Sequence, residues 1–147
     1  LLYTLPGIPS IYYGSEWGIE GRKEGGNDDP LRPALNLAEM EEKYKDCQLT
    51  EHIRMLGRLK KELSPLSEGK YRELLLTNRQ YAFARIQDDK AVIVAVNNDE
   101  NPAHASIPVP AGGNAVNAVT GEPVNVENGR INAELSPAGS LIVSVNI

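Results

Sequence analysis

The sequence predicts an α+β chain, in which an N-terminal part with one strand, a long loop and two helices precedes an all-β antiparallel sandwich. Three observations carry that expectation. After Gly69 the texture turns to short runs rich in Val, Ile and Ala, broken at short intervals by turn residues, the pattern of an antiparallel sandwich. Before it, Ile53, Leu56, Leu59 and Leu63 recur along one helical stripe. Ahead of both, Gly7-Ile8-Pro9-Ser10-Ile11-Tyr12-Tyr13-Gly14 is a nearly continuous apolar run, as in a strand covered on both faces.

In chain order, Leu1–Leu5 read as the last turn of a helix, halted at Pro6-Gly7. The Gly7–Gly14 strand must place Pro9 near its start or at an irregularity, because proline donates no ladder hydrogen bond. From Ser15 to Asn36, glycines, Asn27, Asp28, Asp29, Pro30 and Pro33 make a long irregular loop, and such loops carry function more often than they carry structure. A helix is expected from Leu37 to about Lys45. A second takes Thr50 as its N-cap and runs to Ser64-Pro65, with Arg54, Arg58, Lys60 and Lys61 as a solvated basic face.

Strands are then expected at Tyr71–Thr77, Tyr81–Gln87, Ala91–Asn97, Ala103–Val109, Ala115–Val119, Val124–Glu127, Arg130–Leu135 and Ser140–Val145. Asp88-Asp89, Asn97-Asn98-Asp99, Gly112-Gly113, Thr120-Gly121, Asn128-Gly129 and Pro137-Ala138-Gly139 supply the turns, and Asn128-Gly129 is a type I′ hairpin signal. The two halves meet near Leu66–Lys70.

Composition excludes several classes of function. With 41% hydrophobic and 24% charged residues among 147, and a net charge of −5, the chain is globular rather than disordered. Fifteen basic against twenty acidic residues leave no electrostatic footprint for nucleic acid. Pro6, Gly7, Pro9 and Glu16 interrupt the most apolar stretch before it reaches the roughly 18 residues of a membrane helix, so no membrane partner is expected. Cys47 stands alone, which rules out an internal disulfide framework and allows a reducing compartment, cytoplasmic rather than secreted. The opening Leu1-Leu2-Tyr3-Thr4-Leu5, with no Met and no basic leader, predicts a chain that starts inside a longer one.

Little chemistry can be assembled from spacing. His52 and His104 lie in unrelated contexts and support neither a metal cluster nor a Ser-His-Asp arrangement, and the Gly18–Gly26 loop lacks the Lys-Ser/Thr of a phosphate cradle. No metal and no cofactor is expected. What remains is Asp28 and Arg32, four residues apart among glycines and close in sequence to Tyr13, Glu16 and Trp17. A carboxylate, a planar donor fork and aromatic faces suit a polyhydroxylated ligand, since sugars present apolar C–H faces and paired hydroxyls. The same two residues could equally be a structural ion pair that pins the loop.

Leu5-Pro6-Gly7-Ile8-Pro9-Ser10-Ile11-Tyr12-Tyr13-Gly14-Ser15-Glu16 resembles the eighth-strand motif of the α-amylase family, glycoside hydrolase family thirteen. Gly25-Gly26-Asn27-Asp28-Asp29-Pro30-Leu31-Arg32-Pro33 resembles that family's following loop, and His52–Glu62 with Leu66-Ser67-Glu68-Gly69 its last barrel helix. Tyr81-Ala82-Phe83-Ala84-Arg85 and Val92–Asn98 resemble the opening of its C-terminal sandwich. The resemblance implies the last strand and helices of a TIM barrel over residues 1–68 and a β-sandwich over 69–147. It also implies an α-glucan or maltooligosaccharide substrate for the intact enzyme. The catalytic carboxylates belong to earlier strands, so no residue of this chain is expected to be catalytic.

Residue by residue, the resemblance implies that Asp28 and Arg32 contact a glucose, with Tyr13, Glu16 and Asp29 at the rim and Glu16 orienting its neighbours. Asp28-Asp29-Pro30 duplicates the family's acidic residue, so the equivalent position is Asp28 with a spacing of four to Arg32, or Asp29 with a spacing of three. A lone barrel strand leaves backbone groups unpaired, which predicts disorder, refolding or self-association through Leu5–Tyr13. The alternative function is a free-standing β-sandwich module that binds carbohydrate or protein. Against it, the sandwich half offers only Tyr71, Tyr81 and Phe83 as aromatics, all assigned to its core.

Overall fold

The computed structural model describes residues 1–110 and 113–147, so the expected Gly112-Gly113 turn falls partly outside the described residues. Two compact units form, one of Leu1–Ile8 with Arg58–Ile147, the other of Pro9–Gly57.

In the first unit all eight expected strands are present: β1 Lys70–Leu76, β2 Gln80–Gln87, β3 Lys90–Asn97, β4 Ala103–Pro108, β5 Ala115–Asn117, β6 Pro123–Val124, β7 Arg130–Leu135 and β8 Ser140–Asn146. They pair antiparallel into a six-stranded sheet of order β1-β2-β3-β8-β5-β6 and a two-stranded ribbon β4-β7. The alternation of side chains across a strand explains the core. Ala82 and Ala84 of β2, Ile93 and Ala95 of β3, and Val143 and Val145 of β8 form one cluster with Ile107 of β4 and with Ile131 and Leu135 of β7. Fully burying a side chain of the Val, Ile or Leu kind stabilises by about 1.5–3 kcal/mol, so this interlayer cluster is the main stabilising feature of the sandwich.

The intervening residues of the same strands, Phe83, Arg85, Val92, Val94 and Ile142, are also buried, which an open sandwich sheet does not require. A short helix, α3 Ser64–Glu68, packs on β2 and β3 and brings the buried Pro65 and Leu66 with it. Helix α2, Gln48–Glu62, ends just before Ser64-Pro65 as expected, and Pro65 then sits in the first turn of α3, where its missing N–H costs nothing.

Two polar side chains tie the unit together. Arg85, 2% exposed, donates from Nε to Gly69 O at 3.1 Å, from Nη1 to Leu66 O at 2.9 Å and Thr4 O at 3.1 Å, and from Nη2 to Gly69 O at 2.9 Å. The cation thus faces the carbonyl end of α3 and also fixes the N-terminal turn, in which Leu5 N donates to Leu1 O. Asn97, also 2% exposed, donates from Nδ2 to Asn101 O, Leu135 O and Ser136 O and accepts at Oδ1 from Gln80 Nε2, which joins the ends of β2, β3 and β7.

The Asn128-Gly129 turn forms as expected: φ is positive at both residues (51° and 72°), and Glu127 and Arg130 exchange two backbone hydrogen bonds of 2.9 Å.

Outside the sandwich, two expectations are corrected. No strand forms over Gly7–Gly14. Pro9 cannot donate, Gly7 sits at φ 122°, and no neighbouring strand pairs with the segment, so extended backbone there gains no ladder and Ile8 stays 94% exposed. Helices α1 Leu37–Lys43 and α2 Gln48–Glu62 are present, but Thr50 is not an N-cap. Helix α2 starts two residues earlier, and the Thr50 hydroxyl donates to Glu16 O at 2.7 Å.

Candidate functional site

The loop expected to carry function is built from small local devices. Gly14, buried at φ 87°, caps a 3₁₀ turn, Ser15–Trp17; a Cβ there would meet Ile19 Cδ1 and Leu35 Cδ1 at 3.3 Å. Only glycine suits that combination of backbone and space. Further on, Glu24 and Asn27 exchange backbone hydrogen bonds of 3.3 and 2.7 Å around Gly25-Gly26, both at positive φ. This tight reversal is followed at once by a second 3₁₀ turn, Asp29–Leu31, with Pro30 inside it.

Asp28 and Arg32 are the two caps of that second turn. Leu31 N donates to Asp28 O and Arg32 N to Asp29 O, each at 2.9 Å, so the spacing of four in the sequence becomes one turn of helix. The expected ion pair between them is absent among the described residues. Asp28 Oδ1 instead lies 2.9 Å from Lys23 Nζ, and Arg32 is exposed. Asp29 is exposed, with its backbone N–H held by Asn27 Oδ1 at 3.0 Å. Both registers proposed for the acidic position are therefore present on the same turn.

Beside this turn lies a hollow of about 260 Å³, lined among others by Tyr12, Tyr13, Ile19, Pro30 and Leu31. The Tyr12 and Tyr13 rings meet at 4.8 Å with a 45° tilt. Desolvation and the adjacent Tyr12 hydroxyl raise Tyr13 above the ordinary phenol range, while the Arg32 guanidinium pulls it back, so the charge of Arg32 is felt at the tyrosine hydroxyl. Of the expected site residues, Tyr13 lines this hollow, and Asp28, Asp29 and Arg32 belong to the turn whose Pro30 and Leu31 line it.

Glu16 goes elsewhere. It lines a different cavity with Trp17, and its Oε2 is buried without a hydrogen-bond partner. Its backbone carbonyl accepts from Thr50 and lies 4.0 Å from Cys47 Sγ. Sequence reasoning missed Lys23, the partner of Asp28, and Tyr44, whose ring stacks on Trp17 at 6.2 Å and 19°. No spacing rule signals either, because both contacts cross an irregular loop. Among the described residues no group of three His, Cys, Asp or Glu is placed to hold a metal ion, and no helix is long and apolar enough to cross a membrane.

Residues 71–144, half of the chain, match the family described as Neopullulanase-like, C-terminal domain. The chain belongs to that family. This neopullulanase-like chain is 31% identical over 144 residues to Neopullulanase 2 of Thermoactinomyces vulgaris, covering 95% of this chain and 23% of that protein. To the Cyclomaltodextrinase of Geobacillus thermopakistaniensis (strain MAS1) it is 29% identical, covering 97% of this chain and 24% of that one. It spans about a quarter of the length of these curated relatives. A solved structure of an AmyP variant in complex with maltotriose shares the fold over 98% of this chain and 33% of its own, with a TM-score of 0.82 and 20% identity. The sandwich of the neopullulanase-like family is thus the architecture of residues 70–146.

Proposed function

We propose that this chain is the C-terminal portion of an α-glucan-active glycoside hydrolase of the cyclomaltodextrinase and neopullulanase kind. In this reading, residues 1–68 are the end of a (β/α)8 barrel and 69–147 its C-terminal sandwich. The observation that carries it is the Asp28–Arg32 turn set against the Tyr12–Tyr13 hollow, in a chain that aligns with Neopullulanase 2 over 95% of its length. The exposed apolar surface agrees: eight of the thirteen large hydrophobic residues exposed among the described residues lie between Leu1 and Leu49. Exposed apolar side chains of this kind are what the end of a barrel shows without the rest of its barrel.

The site's chemistry is binding and orientation. Asp28 accepts from sugar hydroxyls, Arg32 donates two parallel N–H groups, and the tyrosine rings offer faces to the C–H side of a glucose. Tyr13 and Asp29 stand at the rim, while Glu16 lies in the separate cavity with Trp17. Catalysis by a retaining glycosidase needs two carboxyl groups about 5–5.5 Å apart across the scissile bond, and in this reading those come from the part of the barrel that precedes this chain. The uncharged Leu5–Tyr13 segment, which lies in no strand, is a self-association surface when the chain is alone.

Calorimetric titration with maltotriose tests the binding role. An Asp28→Asn, Arg32→Gln double variant is expected to weaken binding about tenfold or more, as loss of a charge-assisted pair does. Unchanged affinity, or release of reducing sugar from maltoheptaose by the chain alone, refutes the reading. Light scattering checks self-association, and a monomer at high concentration overturns that part.

A further inference from the structure

The 3₁₀ turn that presents Glu16 and Trp17, the end of α1 and the first turns of α2 enclose a second cavity of about 490 Å³, within the ~300–1,000 Å³ typical of small-ligand sites. Its lining includes Glu16, Trp17, Glu41, Tyr44, Lys45 and Arg54. The tyrosine–arginine site above uses none of the last four. Trp17 and Tyr44 are half-buried and stacked near-parallel, which gives a rigid aromatic wall. Lys45 is held by Glu42 at 3.0 Å and Arg54 by Glu51, so both cations are oriented before any ligand arrives and each keeps donors free. Glu16 Oε2 is buried with no donor, a cost that a ligand hydroxyl would relieve.

Glu16 and Glu41 supply acceptors, and Lys45 and Arg54 supply donors. Lys45 and Arg54 are already neutralised by Glu42 and Glu51, so the lining has no spare positive charge to favour an anion, and Glu16 and Glu41 offer carboxylate acceptors to hydroxyl groups. The lining suits a neutral molecule with an apolar face for the aromatic wall and hydroxyls that both donate and accept. We infer that this cavity is a second sugar site, holding a glucosyl stretch of a neutral α-glucan outside the Asp28–Arg32 site. The inference rests on the α-glucan reading for the identity of the sugar, while the cavity and its lining stand independently of it.

Trp17 is the single tryptophan of the chain, so its emission reports on this cavity alone. Titrating the 147-residue chain with maltoheptaose is expected to change Trp17 emission saturably. Tyr44→Ala should weaken the half-saturation point about tenfold, the size of a lost aromatic contact, whereas Tyr44→Phe should leave it within about threefold. Tyr44→Phe also guards against a folding defect in the alanine variant, as do matched circular dichroism spectra. Asp28→Asn with Arg32→Gln should leave the titration unchanged. A flat Trp17 signal up to about 10 mM maltoheptaose overturns the second site, as does an equal response to the Asp28/Arg32 and Tyr44 variants. Calorimetric binding abolished by the Asp28/Arg32 variant with a flat Trp17 signal leaves the first site standing and removes only the second; a saturable Trp17 signal with no effect of Asp28/Arg32 on any binding does the reverse.

Discussion

Replacing Arg85 is the sharpest test of how the sandwich is held. Its guanidinium is 2% exposed and has no carboxylate partner among the described residues; carbonyl oxygens of Thr4, Leu66 and Gly69 take its hydrogen bonds. In Arg85→Ala, Leu66 O keeps a donor, because Lys60 Nζ lies 3.1 Å from it. Thr4 O and Gly69 O lose theirs, at about 1–3 kcal/mol each. Lys60, lowered first by burial and then by the charge of Arg85, is relieved of a like-charged neighbour, which offsets a little of the loss. The expected net destabilisation is about 2–5 kcal/mol, a large share of the ~5–15 kcal/mol of a typical domain. Arg85→Lys should recover part of it, since an ammonium reaches some of the carbonyls but not all three together. Urea unfolding followed by circular dichroism measures the loss, and proteolysis near Thr4 measures whether the N-terminal turn comes free. A change within about 0.5 kcal/mol for Arg85→Ala, the size of an ordinary surface substitution, would refute the clamp.

Other expectations follow from single residues. Gly14→Ala places a Cβ 3.3 Å from Ile19 Cδ1 and Leu35 Cδ1 at φ 87°, so faster proteolysis of the 15–36 loop is expected, while the sandwich keeps its thermal transition. Asp99 is held below the usual carboxylate range by the backbone N–H and side-chain amide of Asn101. Its folded form favours the charged state, so its contribution is present above about pH 4 and lost as pH falls through the lower folded value; in Asp99→Asn the acid limb of thermal stability should flatten. Burial, then Tyr71 and Glu73, push Tyr81 up to about 12. Its contribution is therefore complete below about pH 10 and lost as pH rises through the folded value, and ultraviolet titration should show, besides the raised Tyr13, a late tyrosine that Tyr71→Phe moves earlier.

The strands of the sandwich were readable because their cause is local. Alternating Val, Ile and Ala fix the face, and Asn128-Gly129 fixes a turn whose φ values few other dipeptides tolerate. The apolar Gly7–Gly14 run misled for the opposite reason: a strand exists only with a partner, and the run itself cannot show whether one is present. Thr50 misled likewise, since a hydroxyl that suits an N-cap suits the carbonyl of Glu16 as well. At the candidate site, the sequence placed Asp28 and Arg32 on one irregular loop but showed neither the 3₁₀ turn they cap nor that Lys23 would take the carboxylate.

The sequence by itself determined the strand set of the sandwich, the two main helices and the positions of Asp28 and Arg32 on the candidate loop, since periodicity, turn chemistry and spacing all act within a few residues. Only the tertiary structure decided that Arg85 gathers carbonyls from Thr4 to Gly69, that Asn97 joins three strand ends, and that Trp17 meets Tyr44. Those contacts join residues far apart in the chain, and which distant groups meet is set by how whole elements pack, a property no local pattern contains.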